Sequence, residues 1–383
     1  MPKGRCGTMG RIRGFDGLRA LAAISVVITH LGLYRGLADN PIRTMIEGGP
    51  AVQLFFALSG FLITALLVRE QQAFGRISIR YFFLRRAYRI FPLYLLFLAV
   101  VVVLEQSFGD VAGTEGLIYA ATYTYNFIPW RFGEAQLGHL WSLAVEEHFY
   151  LVWPFVFLLL YPRYKRALVT GSLLVCLLSI YTRLRLPPEF AREYTSHLWS
   201  CFAGTSILFG CIAAVLVCDE EFRPRFAPFF RSRTALVLGL MLWANEFYLP
   251  HTVLCYQLRG VGFALLLGWI YQNQESPATR LLDVRPMRYL GMISYGIYMY
   301  QGLFLTTGPE RIAGRVWPLP PWIGLALLIV VVPLSYHFFE QRFIRVGKRY
   351  RQRAVIVPEP AQAESQHTTI SAGSSAKPRY ENA

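Results

Sequence analysis

Long apolar blocks separated by short polar segments run along most of the chain. A helix that crosses a bilayer needs about 20 mainly apolar residues. We interpret residues 112–130, which are aromatic but polar, as a loop or a re-entrant segment. The pattern therefore predicts an all-α, polytopic membrane protein with about ten transmembrane helices. The ten predicted spans are residues 16–34, 50–68, 90–108, 139–161, 166–185, 198–218, 234–249, 254–272, 287–306 and 320–339.

Basic residues between the blocks indicate the orientation. If the N-terminus is cytoplasmic, Lys and Arg are far more frequent in the inner segments than in the outer loops, as the positive-inside rule requires. We therefore expect both termini to be cytoplasmic. The predicted organisation is a cytoplasmic segment at residues 1–15, a transmembrane domain at 16–345 and a largely disordered cytoplasmic tail at 346–383. A basic N-terminus followed by a long apolar block predicts an uncleaved signal anchor.

Composition agrees with a membrane protein. Of the 383 residues, 54% are hydrophobic and 16% are charged, whereas a soluble domain carries about 25% charged residues. The net charge is +15. Because the Arg clusters lie between apolar blocks, we assign them to anionic lipid headgroups and expect no nucleic acid partner. The six cysteines form no CxxC pair and no zinc-ligand spacing, so we expect no disulfide framework and no metal.

Two ionisable residues share the first predicted span. An ionisable group inside a span is costly unless it is paired or faces the bundle interior, so its default interpretation is functional. Arg19 and His30 are eleven residues apart, which is about 16 Å and three helical turns, so they share nearly one face. Imidazole is the usual proton carrier near neutral pH. His30 is therefore a candidate base, and the alternative is a structural histidine bonded to a neighbouring helix.

The fourth span carries two adjacent carboxylates, Glu146 and Glu147, at the depth expected for His30. A carboxylate next to an imidazole fixes its tautomer and raises its basicity. Adjacent residues on a helix point about 100° apart, so we expect only one of the two to face His30. The alternative is a buried structural carboxylate.

The segment 69–89 is the most basic part of the chain, and its arginines alternate with aromatic residues. We interpret it as a possible amphipathic helix on the inner leaflet before the third span. Arg85, Arg86 and Arg89 lie at its end, and Arg86 and Arg89 share a face. Two guanidinium forks on one face suit a phosphate or pyrophosphate. Anchoring to lipid headgroups is the alternative.

Other residues carry weaker signals. Ser59 and Gly60 interrupt the second span, where small residues more often permit close helix packing than chemistry. Arg259 and His337 lie near span edges, and we expect both to serve as anchors. His251 is predicted to lie in a short outer loop.

At these residues the chain resembles the acyltransferase-3 family, which consists of membrane O-acyltransferases of the O-antigen acetylase kind. The resemblance extends from residue 14 to about 345. Each motif is weak alone, but five in order at suitable spacing are a specific signal. The motifs are residues 14–22 (GFDGLRALA) with Arg19, ten residues and then His30; 55–63 (FFALSGFLI); 85–94 (RRAYRIFPLY); 141–154 (WSLAVEEHFYLVWP); and 293–298 (ISYGIY).

The resemblance implies acetyl-CoA or another acyl-CoA as a cytoplasmic co-substrate, with no permanently bound cofactor. It implies a hydroxyl of a surface glycan, lipid-linked sugar or other carbohydrate-containing acceptor. His30, assisted by Glu146 or Glu147, would be the catalytic base or a transient acyl carrier. The residues that would bind the substrates are Arg19, Ser59, Arg86, Arg89, Trp141 and Tyr295.

The chain departs from the family pattern at three places. His148 stands where Gln is expected after the paired glutamates, and Gln301 where His is expected after the ninth-span motif. Residues 339–343 read FEQRF, where the family tends to have Pro before the Phe. Some relatives carry an extracytoplasmic hydrolase-like domain, and the short tail here leads us to expect a stand-alone transferase.

Two alternatives stay open at this point. A transporter or flippase with an intramembrane network of His, Glu and Arg would also explain the buried charges, although paired inverted halves are not evident. A non-catalytic scaffold would not require His30 and a carboxylate at one depth. We expect a multi-pass protein of the bacterial cytoplasmic membrane, in contact with membrane lipid. The sequence leaves the acceptor, the acyl length and the oligomeric state open.

Overall fold

The computed structural model describes residues 11–33, 48–108, 113–133, 136–187, 189–190, 198–249, 253–305 and 320–356. These residues form helices and connecting turns and contain no strand. The helices are α1 Phe15–His30, α2 Gly48–Phe74, α3 Ile79–Phe108, α4 Thr114–Ala121, α5 Leu140–Leu160, α6 Lys165–Arg185, α7 Ser200–Ala203, α8 Thr205–Cys218, α9 Arg223–Arg231, α10 Arg233–Trp243, α11 Val253–Gln272, α12 Pro277–Leu282, α13 Arg285–Phe304, α14 Pro321–Leu334 and α15 Gln341–Ile356.

The helices confirm the all-α prediction, and each of the ten apolar blocks contains one. Seven segments in the described part of the chain are long and apolar enough to cross a membrane: α2, α3, α5, α6, α7 with α8, α11, and α14 with its continuation into α15. The helices α1, α10 and α13 are shorter or less apolar. Ten spans and cytoplasmic termini therefore stay predictions. His251 and most of the predicted tail lie outside the described residues, although α15 continues past residue 346 to Ile356.

Small residues hold the centre of the bundle together. A Cβ atom added at Gly60 of α2 would lie 2.0 Å from the carbonyl oxygen of Ile207 on α8, and one at Gly210 would lie 2.1 Å from the carbonyl of Ala57. The two helices therefore touch backbone to backbone, as membrane helices do where both carry small residues. The α1 helix packs between α2 and α13.

The basic segment 69–89 is not a separate surface helix. Its first residues end α2, and its last eleven form the first three turns of α3, which runs without interruption for 30 residues. Such a helix is about 45 Å long, whereas the hydrocarbon core of a bilayer is about 30 Å thick. The arginines at the end of the basic segment therefore belong to an extension of the third span and lie beside the other helices of the bundle.

The polar segment after α3 is folded. Its described part, residues 113–130, forms α4 and two short 3₁₀ turns, and Tyr125, Asn126 and Ile128 are buried. The hydroxyl of Tyr94 on α3 donates a hydrogen bond to the carbonyl of Ala120 at 2.7 Å. The segment is thus packed against α3, and its entry into the membrane stays a prediction.

The expectation that Arg259 anchors the protein to lipid headgroups is wrong. It is buried, donates a hydrogen bond to Oε1 of Gln53 at 3.1 Å and forms an ion pair with Glu246. Gln53 in turn donates to the carbonyl of Tyr256 at 2.9 Å. A buried guanidinium requires such partners because it loses its hydration. The network joins α2 to α11 and to the turn after α10.

Candidate active site

One cavity of about 440 Å³ lies between α1, α2, α3, α5 and α13. It brings together residues from all five motifs, although they are far apart in the chain. Six of the predicted site residues line it. The polar side chains in its wall are Arg11, Asp16, Arg19, Ser59, Arg85, Arg86, Arg89, Ser142, Glu146, Tyr150, Ser294, Tyr295 and Tyr298.

Five arginines and only two carboxylates line this cavity. Arg11 is neutralised by Asp283 at 2.6 Å and by Asp16 at 3.3 Å. Arg85 lies 3.6 Å from Glu70, which is outside the cavity wall. Arg19 lies 3.6 Å from Asp16.

Arg86 and Arg89 form no ion pair with any residue that the structure describes. The guanidinium of Arg86 lies over the ring of Tyr150, 4.0 Å from its centre. The Arg89 side chain lies on the cavity wall. It is therefore accessible from the cavity although protein surrounds it. Both lie close enough to Arg19 for their charges to repel. Arg86 is close enough to Glu146 and Glu147 to interact with them electrostatically, but no carboxylate among the described residues lies within ion-pair distance of the Arg86 or the Arg89 guanidinium. Their N–H donors are therefore available to an anionic ligand.

Ser59 and Gly60 have different roles, although packing was the preferred interpretation for the pair and only the family resemblance gave Ser59 a role in binding. Gly60 faces α8, and Ser59 faces the cavity. The hydroxyl of Ser59 donates to Oε1 of Glu146 at 2.9 Å, and that of Tyr150 donates to Oε2 at 2.6 Å. The two hydroxyls also lie 2.9 Å apart. The Glu146 carboxylate is thus oriented by α2 and by its own helix.

His30 is half-buried at the end of α1 and does not line the cavity. Its Nδ1 lies 2.8 Å from the carbonyl oxygen of Val26. A carbonyl oxygen only accepts, so Nδ1 carries the proton and Nε2 keeps its lone pair. The backbone thus makes the tautomer-fixing contact that we expected from a carboxylate. The prediction paired His30 with Glu146 or Glu147, but neither carboxylate has a hydrogen bond to it among the described residues. The two oxygens of Glu146 accept from Ser59 and Tyr150 instead, and Oε1 of Glu147 has no hydrogen bond.

Glu147 lies beside a group of tyrosines. It is close enough to Tyr94, Tyr123 and Tyr295 to interact with them electrostatically. Its Oε1 atom is buried and has no hydrogen bond among the described residues, and the same holds for the Tyr123 hydroxyl. The Tyr123 backbone has a φ of 56°, which is rare for a residue with a side chain.

The remaining predicted residues lie at the cavity or behind it. Tyr295 lines the cavity, and its hydroxyl donates to the carbonyl of Ile90 at 3.0 Å. Trp141 does not line it. The indole packs edge-on against Phe56, with ring centres 5.8 Å apart, so it supports the wall. His148 bonds to Ser200 at 2.7 Å, away from the cavity.

Sequence reasoning assigned no role to two buried residues near this site. Glu340 is in a π-helical turn, Ser335–Glu340, between α14 and α15, and it lies close enough to Arg89 to interact electrostatically. Such turns are frequent at functional sites. His139 precedes α5 and is buried against Phe97 and Tyr298. The sequence signals that could have identified them were the charge of Glu340 near the end of the last predicted span and the position of His139 at the start of the fourth.

Within the described part of the chain, no group of three or more His, Cys, Asp or Glu side chains is placed to hold a metal ion. The five cysteines in that part are free thiols. Cys6 lies outside it. The expectation that no metal is bound stays a prediction.

Comparison with known proteins places the chain in a family. A family described as "Acyltransferase domain" matches residues 12–340. The chain is 28% identical to the putative peptidoglycan O-acetyltransferase YrhL of Bacillus subtilis, over 90% of this chain and 57% of that protein. It is 27% identical to the peptidoglycan O-acetyltransferase OatA of Listeria monocytogenes, over 86% of this chain and 55% of the relative.

The similarity extends to a third named relative, the O-acetyltransferase OatA of Staphylococcus aureus, at 26% identity over 87% of this chain and 57% of the relative. The chain thus spans less than two thirds of the length of these relatives. No solved structure matches it. The family match covers most of the chain, and the chain belongs to the acyltransferase-3 family.

Proposed function

We propose that this member of the acyltransferase-3 family is a membrane O-acetyltransferase that moves an acetyl group from a cytoplasmic acyl-CoA to a carbohydrate hydroxyl on the outer side. The donor, the acceptor and the sidedness are all part of the proposal. The observation that carries it is the presence of Arg86 and Arg89, which form no ion pair among the described residues, in a cavity that also contains Arg19.

The arginines suit the phosphates of the donor. Guanidinium groups bind phosphate by paired N–H donors, and Arg86 and Arg89 present theirs from successive turns of one helix. The first turns of α3 lie on the side that the charge distribution assigns to the cytoplasm. The cavity wall continues from these arginines to Ser59 and Tyr298, a course that fits the thioester arm. We therefore assign the cavity to the phosphate groups and the arm of acyl-CoA.

His30 supplies the base. Its Nε2 takes the proton of the acceptor hydroxyl as the hydroxyl oxygen attacks the thioester carbonyl carbon. The carbon–sulfur bond breaks, and the CoA thiolate leaves and recovers a proton. General-base assistance of this kind is worth about 10²–10⁴ in rate. In a two-step variant, Nε2 attacks the thioester itself and carries the acetyl group to the acceptor.

The acceptor class rests on the relatives. Two of them are named for peptidoglycan, and we extend to this chain only the broader class of cell-envelope carbohydrate. Transport of acyl-CoA, the alternative that the buried charges allow, requires no base and no acceptor.

The test uses purified protein in liposomes with acetyl-labelled acetyl-CoA on the side of the basic α3 turns. Glycan strands from cells that lack the protein are added on the other side. The proposal expects label in the glycan and free CoA thiol on the donor side, both lost in His30→Ala. Intact labelled acetyl-CoA crossing the membrane would instead identify a transporter. Absence of both results would overturn the proposed function.

A further inference from the structure

Two buried polar side chains beyond the cavity have no hydrogen-bond partner among the described residues. Gln301 is 0% exposed and His139 is 7% exposed. All four of their side-chain nitrogen and oxygen atoms lack a hydrogen bond there. The backbone of Gln136 lies close enough to the His139 ring to act on it as a weak hydrogen-bond partner, although neither ring nitrogen makes a hydrogen bond of regular geometry. Buried polar atoms are normally bonded, so these four atoms require partners such as water or the hydroxyls of a ligand.

The helix ends bring the two residues to one level of the bundle. Tyr298 of α13 lies 2.6 Å from the hydroxyl of Ser142 on α5 and donates to the carbonyl of His139 at 3.1 Å. One turn further along α13, a Cβ atom at Gly302 would lie 2.2 Å from the His139 ring. Gln301 is the neighbour of this glycine. Only a residue without a side chain lets α13 approach His139 so closely.

This cluster is separate from the arginine cavity. Tyr298 and Ser142 line the cavity, whereas His139 and Gln301 lie one turn beyond them and do not. His139 is close enough to His30 for an electrostatic interaction. The order along the bundle is therefore the arginines, then Tyr298, then His139 near His30, with Gln301 one turn beyond Tyr298 on α13.

The polar atoms indicate the class of ligand. A neutral imidazole offers one donor and one acceptor, and a carboxamide offers both. The cluster itself contains neither a cationic nor a carboxylate side chain, so it does not suit a phosphate. Hydroxyl groups both donate and accept, and they match it. We propose that His139 and Gln301 form the acceptor subsite, in which they hold hydroxyls of a neutral carbohydrate next to the one that His30 deprotonates.

The proposal rests on the proposed function, and the assay separates the two. Acetyl transfer to chitotetraose is measured with the glycan varied at saturating acetyl-CoA, and then with acetyl-CoA varied. Gln301→Met keeps the volume and removes the hydrogen bonds. The KM for chitotetraose is expected to rise at least tenfold, because the loss of one buried hydrogen bond corresponds to about a tenfold change in affinity. The KM for acetyl-CoA should stay within about twofold.

Gln257→Met is the matched control. Gln257 is also buried and also has an unsatisfied Oε1 among the described residues, but it belongs to α11, which is not one of the helices around the cavity. Its replacement should change neither KM. A merely structural role for Gln301 would raise both KM values or lower the unfolding temperature without changing the KM for the glycan.

A second variant guards against misfolding. His139→Gln retains polarity but moves the donor and the acceptor, and it is expected to raise the KM for the glycan selectively. Wild-type protein alone should also gain thermal stability from chitotetraose without acetyl-CoA. The subsite is overturned if the variants that fold leave the KM for the glycan unchanged, or if chitotetraose gives no thermal shift. If wild-type protein transfers no acetyl group, the proposed function fails instead.

Discussion

The Nδ1 atom of His30 lies 2.8 Å from the carbonyl oxygen of Val26, one turn earlier on α1. This contact needs no second helix, so the first span by itself orients the imidazole and puts the proton on Nδ1. The base and its orienting group are then one rigid unit. A carboxylate from α5 is not required for this purpose, and Glu146 bonds to Ser59 and Tyr150 instead.

For His30→Ala we expect acetyl transfer to fall by about 10²–10⁴ at normal membrane abundance, because the general base is lost. Labelled acetyl transfer per amount of membrane protein measures the effect. The control is His337→Ala, since His337 is exposed and bonds to Tyr289 and Gln341 away from the cavity. Wild-type turnover in His30→Ala would remove the catalytic role.

The same reaction without acceptor distinguishes the two chemical routes. A quenched mixture of protein and labelled acetyl-CoA should carry label on the peptide that contains His30 if Nε2 transiently holds the acetyl group. An unlabelled peptide indicates direct transfer.

For Arg86→Ala and Arg89→Ala we expect the KM for acetyl-CoA to rise by about 10–100-fold, because a hydrogen bond to a charged group is worth about 1.5–3 kcal/mol. In the wild type, higher salt should also raise the KM for acetyl-CoA, because it screens the attraction between arginine and phosphate. S-acetyl-pantetheine has no phosphate, so its KM should be the same in both variants as in the wild type. The exposed Arg166 is the control position. An equal penalty on both donors would assign these arginines to structure.

Gly60→Ala and Ser59→Ala should separate packing from binding. The new methyl group at residue 60 would lie 2.0 Å from the carbonyl of Ile207. Overpacking of this kind costs about 1–3 kcal/mol or more, so the unfolding temperature in detergent should fall. Ser59→Ala should preserve it and change transfer kinetics instead. Gly171→Ala, on α6 with nothing within 4 Å, is the neutral reference, and equal effects at residues 60 and 171 would contradict the packing role.

Asp219, in the turn after α8, should make stability depend on acid pH. Burial raises the pKa of its carboxyl, but hydrogen bonds from Lys165 and Tyr161 outweigh burial and hold the pKa below its ordinary value. The Nζ of Lys165 lies 2.8 Å from Oδ2. A lowered pKa in the folded state adds stability above the unfolded pKa of about 3.9, and this is lost as the pH falls through the folded pKa.

Unfolding temperature measured against pH tests this relationship. The wild type should be steady from about pH 7 to 5 and lose stability below about pH 4. Asp219→Asn should be less stable at neutral pH and show a weaker acid dependence. Glu221→Gln, in an ion pair with the exposed Arg166, should have little effect. An identical acid profile in Asp219→Asn would contradict the assignment.

The sequence by itself determined the helices and the location of positive charge. Apolar length indicates a span whether lipid or protein covers it, so each of the ten blocks contains a helix. The spacing of Arg86 and Arg89 placed them on one face because helical periodicity is local. The same local logic placed Arg19 and His30 on one helix.

Tertiary structure decided which side chains meet, because the rotation and depth of each helix depend on its neighbours. It directed Glu146 to Ser59 rather than to His30, paired Arg259 with Glu246, and merged the basic segment 69–89 into α2 and α3. Gly60 and Gly302 set two of these arrangements, since helices approach most closely where a side chain is missing. The approach of α13 to His139 at Gly302, next to Gln301, is of this kind, and no pattern in one segment can reveal it.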